Sequence, residues 1–225
     1  VVSLDSAVNP DNRAVHIQQA LPKTIGSVLI QAAAKIMGYK GEFAILSTTA
    51  GMPNQASWVK WMRIELQSYR EKYKDMKMVE IAYGLDEYDA SVRTAKSLLE
   101  KYPELKLIIA PTVVGLHAAA EVIRQSGLPA KVIGLGLPSN MEPYIMDGTC
   151  PWMYLWNPSD LGYLAAYAAD AAATGRNIGA IGEILNAGML GDRIVSESED
   201  GGTEIVLGNP KMFDSTNVIV WKDLF

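Results

Sequence analysis

Several apolar runs in this chain stop on small clusters of hydrogen-bonding residues, and this pattern constrains the fold more than any other feature. The run 1–4 ends at Asp5, and 43–46 leads to Ser47-Thr48-Thr49 and then Asn54-Gln55. The run 107–110 ends at Pro111-Thr112, 132–135 at Pro138-Ser139-Asn140, and 153–155 at Trp156-Asn157. Short apolar runs set between helical segments mark buried parallel strands. Open α/β sheets bind ligands just beyond the carboxyl ends of their strands. The residues at those ends are amides, hydroxyls and one carboxylate, which suit a neutral, hydroxyl-rich small molecule. None of them is an obvious catalyst.

Composition narrows the partners. The 225 residues are 49% hydrophobic and 20% charged, enough for a substantial core in one large domain or two small ones. A net charge of -5 with no basic cluster argues against nucleic acid and against an anionic membrane surface. No apolar run is long enough to span a bilayer. Cys150 is the single cysteine, so the chain forms no internal disulfide.

The chain reads as an alternating series. After the opening strand comes a turn around Asn9-Pro10-Asp11, a short strand at 14–18, and a helix from Pro22 to Met37 stopped by Gly38. Strand 43–47 precedes a long helix to about 73, with Asn54 as its expected N-cap. Strand 79–83, helix Tyr88–Lys101, strand 107–110, helix 114–125, strand 132–135, a short helix near 141–146 and strand Trp152–Leu155 follow. Such a series over 41–155 predicts a right-handed, mostly parallel sheet covered on both faces.

Beyond it the pattern changes. Residues 159–173 form an Ala-rich helix whose apolar face carries Leu161, Leu164, Ala165, Ala168 and Ala172. The Gly-rich remainder shows only short β-like pieces at 193–196, 204–207 and Val218–Trp221. These pieces are too few to cover that helix, which is expected to pack on a sheet the chain does not encode in full.

Catalytic motifs are missing. No Gly-x-Gly-x-x-Gly, phosphate loop, zinc-protease helix or Gly-x-Ser-x-Gly elbow occurs. His16, His117 and Cys150 read as structural residues, because cysteine is most often a small core residue. No metal-ligand spacing and no cofactor site is evident. Asp5 suits either of two roles: accepting from adjacent sugar hydroxyls, or closing a turn on its own backbone. Asn54 and Gln55 present amide donors and acceptors. Trp58, Trp61 and Trp152 are expected in packing, whereas Trp156, at a strand end before Asn157-Pro158, could stack on a sugar ring.

The string Leu155-Trp156-Asn157-Pro158-Ser159-Asp160-Leu161-Gly162-Tyr163 resembles the hinge segment of rhamnose-type substrate-binding proteins of ABC transporters, relatives of the autoinducer-2-binding proteins. Ser3-Leu4-Asp5-Ser6, Ser47-Thr48-Thr49-Ala50 with Asn54-Gln55 and Trp58-Val59, Ile109-Ala110-Pro111, and Gly134-Leu135-Gly136-Leu137-Pro138-Ser139 match in the same order, as does the closing Lys222-Asp223-Leu224-Phe225.

The resemblance implies the two-lobed periplasmic-binding-protein type 1 fold: an α/β protein whose lobes are Rossmann-like parallel sheets with helices on both faces, joined by three crossovers. It implies that the first lobe is largely missing from this chain. Residues 1–6 would be its last strand and first hinge, 7–155 the C-terminal lobe, 156–190 a hinge and return, and 191–225 a third crossover and tail. By position, Asp5, Asn54, Gln55, Pro111, Val113, Trp156 and Asn157 would contact ligand in the cleft between lobes.

The autoinducer-2 branch has acidic residues at the positions of Asn54 and Asn157 and a small one at Val113; amides there favour a neutral sugar. Gly136 departs from the ribose-binding branch, which has an aspartate. The expected protein is thus a monomeric, non-enzymatic receptor without metal or cofactor. It would be periplasmic, or extracellular and membrane-anchored as a lipoprotein, and would pass a deoxyhexose to an ABC permease by hinge closure. The alternatives are an autoinducer-2 receptor and the effector-binding domain of a sugar-responsive transcription regulator.

Overall fold

A computed structural model describes residues 1–176 and 178–224. The chain divides into two compact units: Val1–Thr24 with Trp156–Pro210, and Ile25–Leu155 with the segment from Lys211 onward. It passes between them after Thr24, Leu155 and Pro210.

The larger unit is built on a parallel sheet of β3 (Lys40–Ser47), β4 (Asp75–Tyr83), β5 (Leu105–Ala110) and β6 (Lys131–Gly134), in the order β4-β3-β5-β6. Phe43 to Leu46 and Leu107 to Ala110 are completely buried, as strands covered on both faces must be. The joining helices are α1 (Pro22–Met37), α2 (Pro53–Ser68), α3 (Tyr88–Lys101), α4 (Val113–Ser126) and α5 (Pro138–Met146). Strand β7 (Trp152–Leu155) meets the end of β6 through a bridge from Tyr154 to Leu135, and pairs antiparallel with β11 (Lys211–Asp214).

Glycine is required at two close approaches here. A Cβ on Gly134 would lie 1.8 Å from the Ala110 carbonyl oxygen. One on Gly136 would meet Leu116 at 2.6 Å and Met153 at 2.8 Å, so no aspartate fits there without moving the core.

The smaller unit carries a five-stranded sheet ordered β1-β2-β10-β9-β8, from Val2–Leu4, Val15–Gln18, Thr203–Val206, Asp192–Glu197 and Ile184–Asn186 respectively. Strands β1, β2 and β10 are parallel, while β9 and β8 run antiparallel to their neighbours. Helix α6 (Pro158–Ala173) lies on this sheet, where Leu161, Leu164, Ala168 and Ala171 join Val15, Ile17, Leu185, Val195 and Ile205 in one core. Beside it, the buried guanidinium of Arg13 grips Asp200 through both oxygens, at 2.7 and 2.8 Å, and reaches Ser198 at 3.1 Å. A bidentate, charge-assisted pair of this kind ties the 198–202 turn to the end of the β1–β2 connection.

Several expectations are corrected. The boundary expected after residue 6 falls at Thr24, because Val15–Ile17 pairs in parallel with Val2–Leu4 and β2 belongs to the smaller unit. The boundary expected near 190 falls at Pro210, because β9 and β10 extend that same sheet. Helix α6 has its partner sheet within this chain, with two strands from the front of the sequence and three from the back. Its inward face turns Ala171 to the core and leaves Ala172 exposed. The Val-Ile-Val run at Val218–Trp221 is a helical turn, α7, rather than a strand. Val218 is buried and Trp221 packs edge-on to Phe213, so tertiary contact overrides β propensity. Helix α2 starts on Pro53, so Met52 and not Asn54 is its N-cap.

Candidate functional site

The carboxyl edge of the larger unit's sheet is where its polar residues gather. At the end of β3, Gln55 turns back from the first turn of α2 and its Oε1 accepts from Ser47 Oγ at 2.7 Å and from Thr48 N at 3.0 Å. All three residues are buried. This pairing assigns the amide: its oxygen faces the strand end and its NH2 group is directed the other way. Asn54 Oδ1 accepts from Gln55 N at 2.9 Å, holding the half-buried Asn54 side chain beside its neighbour. The Thr48 hydroxyl, one of the polar cluster at this strand end, is buried without a partner.

Neighbouring strands bring further residues to the same edge. The pairing of Ile45 with Ile109 means that β3 and β5 leave the sheet side by side, at Ser47-Thr48 and at Pro111-Thr112. Pro111 is buried and Val113 half-buried at the start of α4. Ser47 also pairs with Tyr83, placing the end of β4 on the other flank. A cavity of about 200 Å³ opens there between β3, β4 and α2, with Ser47, Thr49, Gln55, Lys60, Arg63 and Tyr83 in its lining. The two cations one turn apart on α2 were not among the residues singled out from sequence, because nothing local distinguishes them from a solvated helix face.

In the smaller unit, Asp5 follows β1 with φ of 65°, and its N–H donates to the Ile17 carbonyl at 3.2 Å. Aspartate is one of the few residues that tolerate this left-handed conformation. Burial raises the Asp5 carboxyl above its ordinary range, with the nearby His16 acting against the rise. His16 itself is held between Ser3 Oγ at 2.9 Å and Gln18 Oε1 at 2.6 Å, and burial favours its neutral form. Asn157 caps α6, its Oδ1 accepting from Ser159 N at 2.9 Å and Asp160 N at 3.4 Å. Trp156 is half-buried against the α6 core. Gln19, next to Gln18 at the end of β2, is fully buried and neither end of its amide has a partner.

Thus Asn54, Gln55, Pro111 and Val113 share one sheet edge, while Asp5, Trp156 and Asn157 belong to the other unit. The groups that would support covalent chemistry are poorly disposed. Cys150 is buried, which pushes its thiol up, and its Sγ donates to the Trp152 carbonyl. His117 is packed between Tyr88 and Tyr144, and burial favours its neutral form. Among the described residues no cluster of His, Cys, Asp and Glu could hold a metal ion, and no helix is long and apolar enough to cross a membrane.

Residues 1–177 match a family described as a periplasmic binding protein domain. Among solved structures, an ABC transporter solute-binding protein from Clostridium phytofermentas with bound L-rhamnose is 38% identical, with a TM-score of 0.95. The alignment covers 100% of this chain and 73% of that one. A sugar ABC transporter protein from Actinomyces odontolyticus is 36% identical over 98% of this chain and 70% of its own, with a TM-score of 0.83. LsrB from Clostridium saccharobutylicum in complex with AI-2 shares the fold at 20% identity, with a TM-score of 0.87 over 98% of this chain and 74% of its own.

Proposed function

The chain belongs to the periplasmic binding protein family, the sugar-binding proteins of ABC transporters, and on that premise we propose that it captures a neutral sugar of the deoxyhexose class, such as rhamnose, and delivers it to a permease. The observation that carries this reading is the 38% identity, over the whole chain, to a solute-binding protein holding L-rhamnose. The chemistry of the strand ends agrees with it. Asn54, Gln55 and Asn157 offer uncharged amides, and Asp5 alone offers a carboxylate.

A carboxylate accepts strongly from two adjacent hydroxyls, and amides donate to and accept from the rest. Pro111, Val113 and the face of Trp156 would meet the apolar parts of a deoxysugar, including its methyl group. A site built for one donor–acceptor pattern rejects another by leaving buried groups unpaired. Amides at Asn54 and Asn157 therefore favour the neutral sugar over an autoinducer-2-type ligand.

In this reading the protein is a monomeric receptor, not an enzyme. It acts outside the cytoplasmic membrane, in the periplasm or anchored at the cell surface as a lipoprotein. Ligand works by shifting an open–closed equilibrium about the hinge segments, through its greater affinity for the closed state. A thermal-shift series with L-rhamnose, L-fucose, D-ribose and autoinducer-2 tests it. The largest rise in melting temperature is expected with a deoxyhexose, and a rise confined to autoinducer-2 would overturn the sugar assignment.

A further inference from the structure

Strand β4 leaves the sheet through a turn that L-residues adopt only under constraint. Leu85 and Asp86 have φ of 58° and 57°, two successive non-glycine residues in the left-handed region. There the side chain crowds its own backbone, and such strain persists only where the surroundings over-determine it. The surroundings here are specific. Gly84 N donates to the Ser47 carbonyl at 2.8 Å and Leu85 N to the Thr48 carbonyl at 2.9 Å, clamping the turn to the end of β3. The Asp86 carboxylate then receives the Thr112 hydroxyl at 2.6 Å.

That last bond costs α4 its usual cap. Thr112 occupies the N-cap position, where threonine ordinarily accepts from the first-turn amides. Its side chain makes no such bond and donates to Asp86 instead. Asp86 does not serve its own helix either, since the N-cap of α3 is Glu87. The buried Thr112 lies between Pro111 and Val113, so the bond ties that turn to the end of β4 and, through Leu85 and Thr48, to the backbone that Gln55 grips.

We propose that Asp86 is a positioning residue for sugar binding: by accepting the Thr112 hydroxyl it holds the turn from Pro111 to Val113 in the arrangement that receives ligand. This rests on the reading of Pro111 and Val113 as ligand contacts. The carboxylate acts through Thr112, and the strained backbone at 85–86 is what brings it within reach.

The test is calorimetric titration with L-rhamnose, paired with thermal melting of each variant. Asp86→Gly keeps the left-handed backbone accessible and deletes the carboxylate, so it tests the side chain apart from the turn. It is expected to melt only a few degrees below wild type, the freer backbone offsetting part of the lost Thr112 bond, yet to bind about tenfold more weakly, on the scale of one hydrogen bond to a charged group. Asp86→Asn keeps an acceptor oxygen and is expected to stay within about threefold of wild type. Thr112→Val should lose the same factor as Asp86→Gly, and the double variant no more than either alone. Wild-type affinity in Asp86→Gly, or fully additive losses in the double variant, would overturn the positioning role while leaving the receptor reading intact. Wild-type protein that binds no sugar would overturn the receptor reading, and the role of Asp86 with it.

Discussion

Ser47 Oγ donates to Gln55 Oε1 at 2.7 Å, and the same oxygen accepts from Thr48 N at 3.0 Å, so one side chain holds two groups at the end of a buried strand. Gln55→Ala removes both bonds and leaves a buried backbone N–H without its partner. A cost of about 1–3 kcal/mol in denaturant unfolding is expected. Affinity for L-rhamnose should fall about tenfold or more, because the amide NH2 is lost along with its orientation. Gln55→Ala with full affinity would remove this residue from the binding surface.

In the proposed function the Asp5 carboxylate accepts from sugar hydroxyls. Asp5→Asn tolerates the same left-handed backbone and replaces a charged acceptor by a neutral amide. Weakening by about 1.5–3 kcal/mol, or roughly ten- to a hundredfold in calorimetric affinity, is expected with little change in melting temperature. Unchanged affinity would assign Asp5 to its turn alone.

The buried centre of the larger sheet was legible because it is written locally. The runs 43–46 and 107–110 are apolar without interruption, and both are buried completely. Gln55 stood out because it follows such a run at short range. What stayed hidden depends on contacts between distant residues. Nothing near Val15–Gln18 shows that it pairs with Val2–Leu4 and Thr203–Val206, and this non-local pairing moved the unit boundary to Thr24. Strands of three and four residues at Ile184–Asn186 and Lys211–Asp214 are too short to show a period. The bond from Thr112 to Asp86 joins residues 26 apart, and the left-handed conformation of Leu85 carries no sequence signature.

Leu164 is completely buried at the centre of the α6 face, against strands from both ends of the chain. Leu164→Ala is expected to destabilise the protein by about 2–5 kcal/mol, read by denaturant unfolding. A loss below 1 kcal/mol would mean that α6 is not seated on this sheet.

Glu204 is pushed up to about 7, first by burial and then by the charges of Glu199 and Asp200, with Arg13 opposing. Its ordinary value is 4.5. Between those values the unfolded chain gives up a proton that the folded chain keeps, so stability drains away as pH rises and the loss is complete above about 7. Glu204→Gln lacks this penalty. Relative to its position at pH 4.5 it should gain on wild type as pH rises to 7, by about 1–2 kcal/mol after allowance for solvent screening, and gain no more above that. His16, whose value burial lowers, acts in the opposite sense, destabilising the fold as pH falls below 6.5. The difference between the two proteins at each pH therefore isolates Glu204, and a difference independent of pH would mean that Glu204 keeps its ordinary value in the fold.

Capture of a neutral deoxyhexose is the proposal on which every binding prediction above depends. Isothermal titration of the wild-type protein with L-rhamnose, followed by recovery and analysis of the sugar, tests it most directly. Saturable 1:1 binding is expected, at least tenfold tighter than for autoinducer-2 in the same buffer, with the sugar returned unaltered. Absence of binding to L-rhamnose and L-fucose alike, or conversion of the bound sugar, would contradict it.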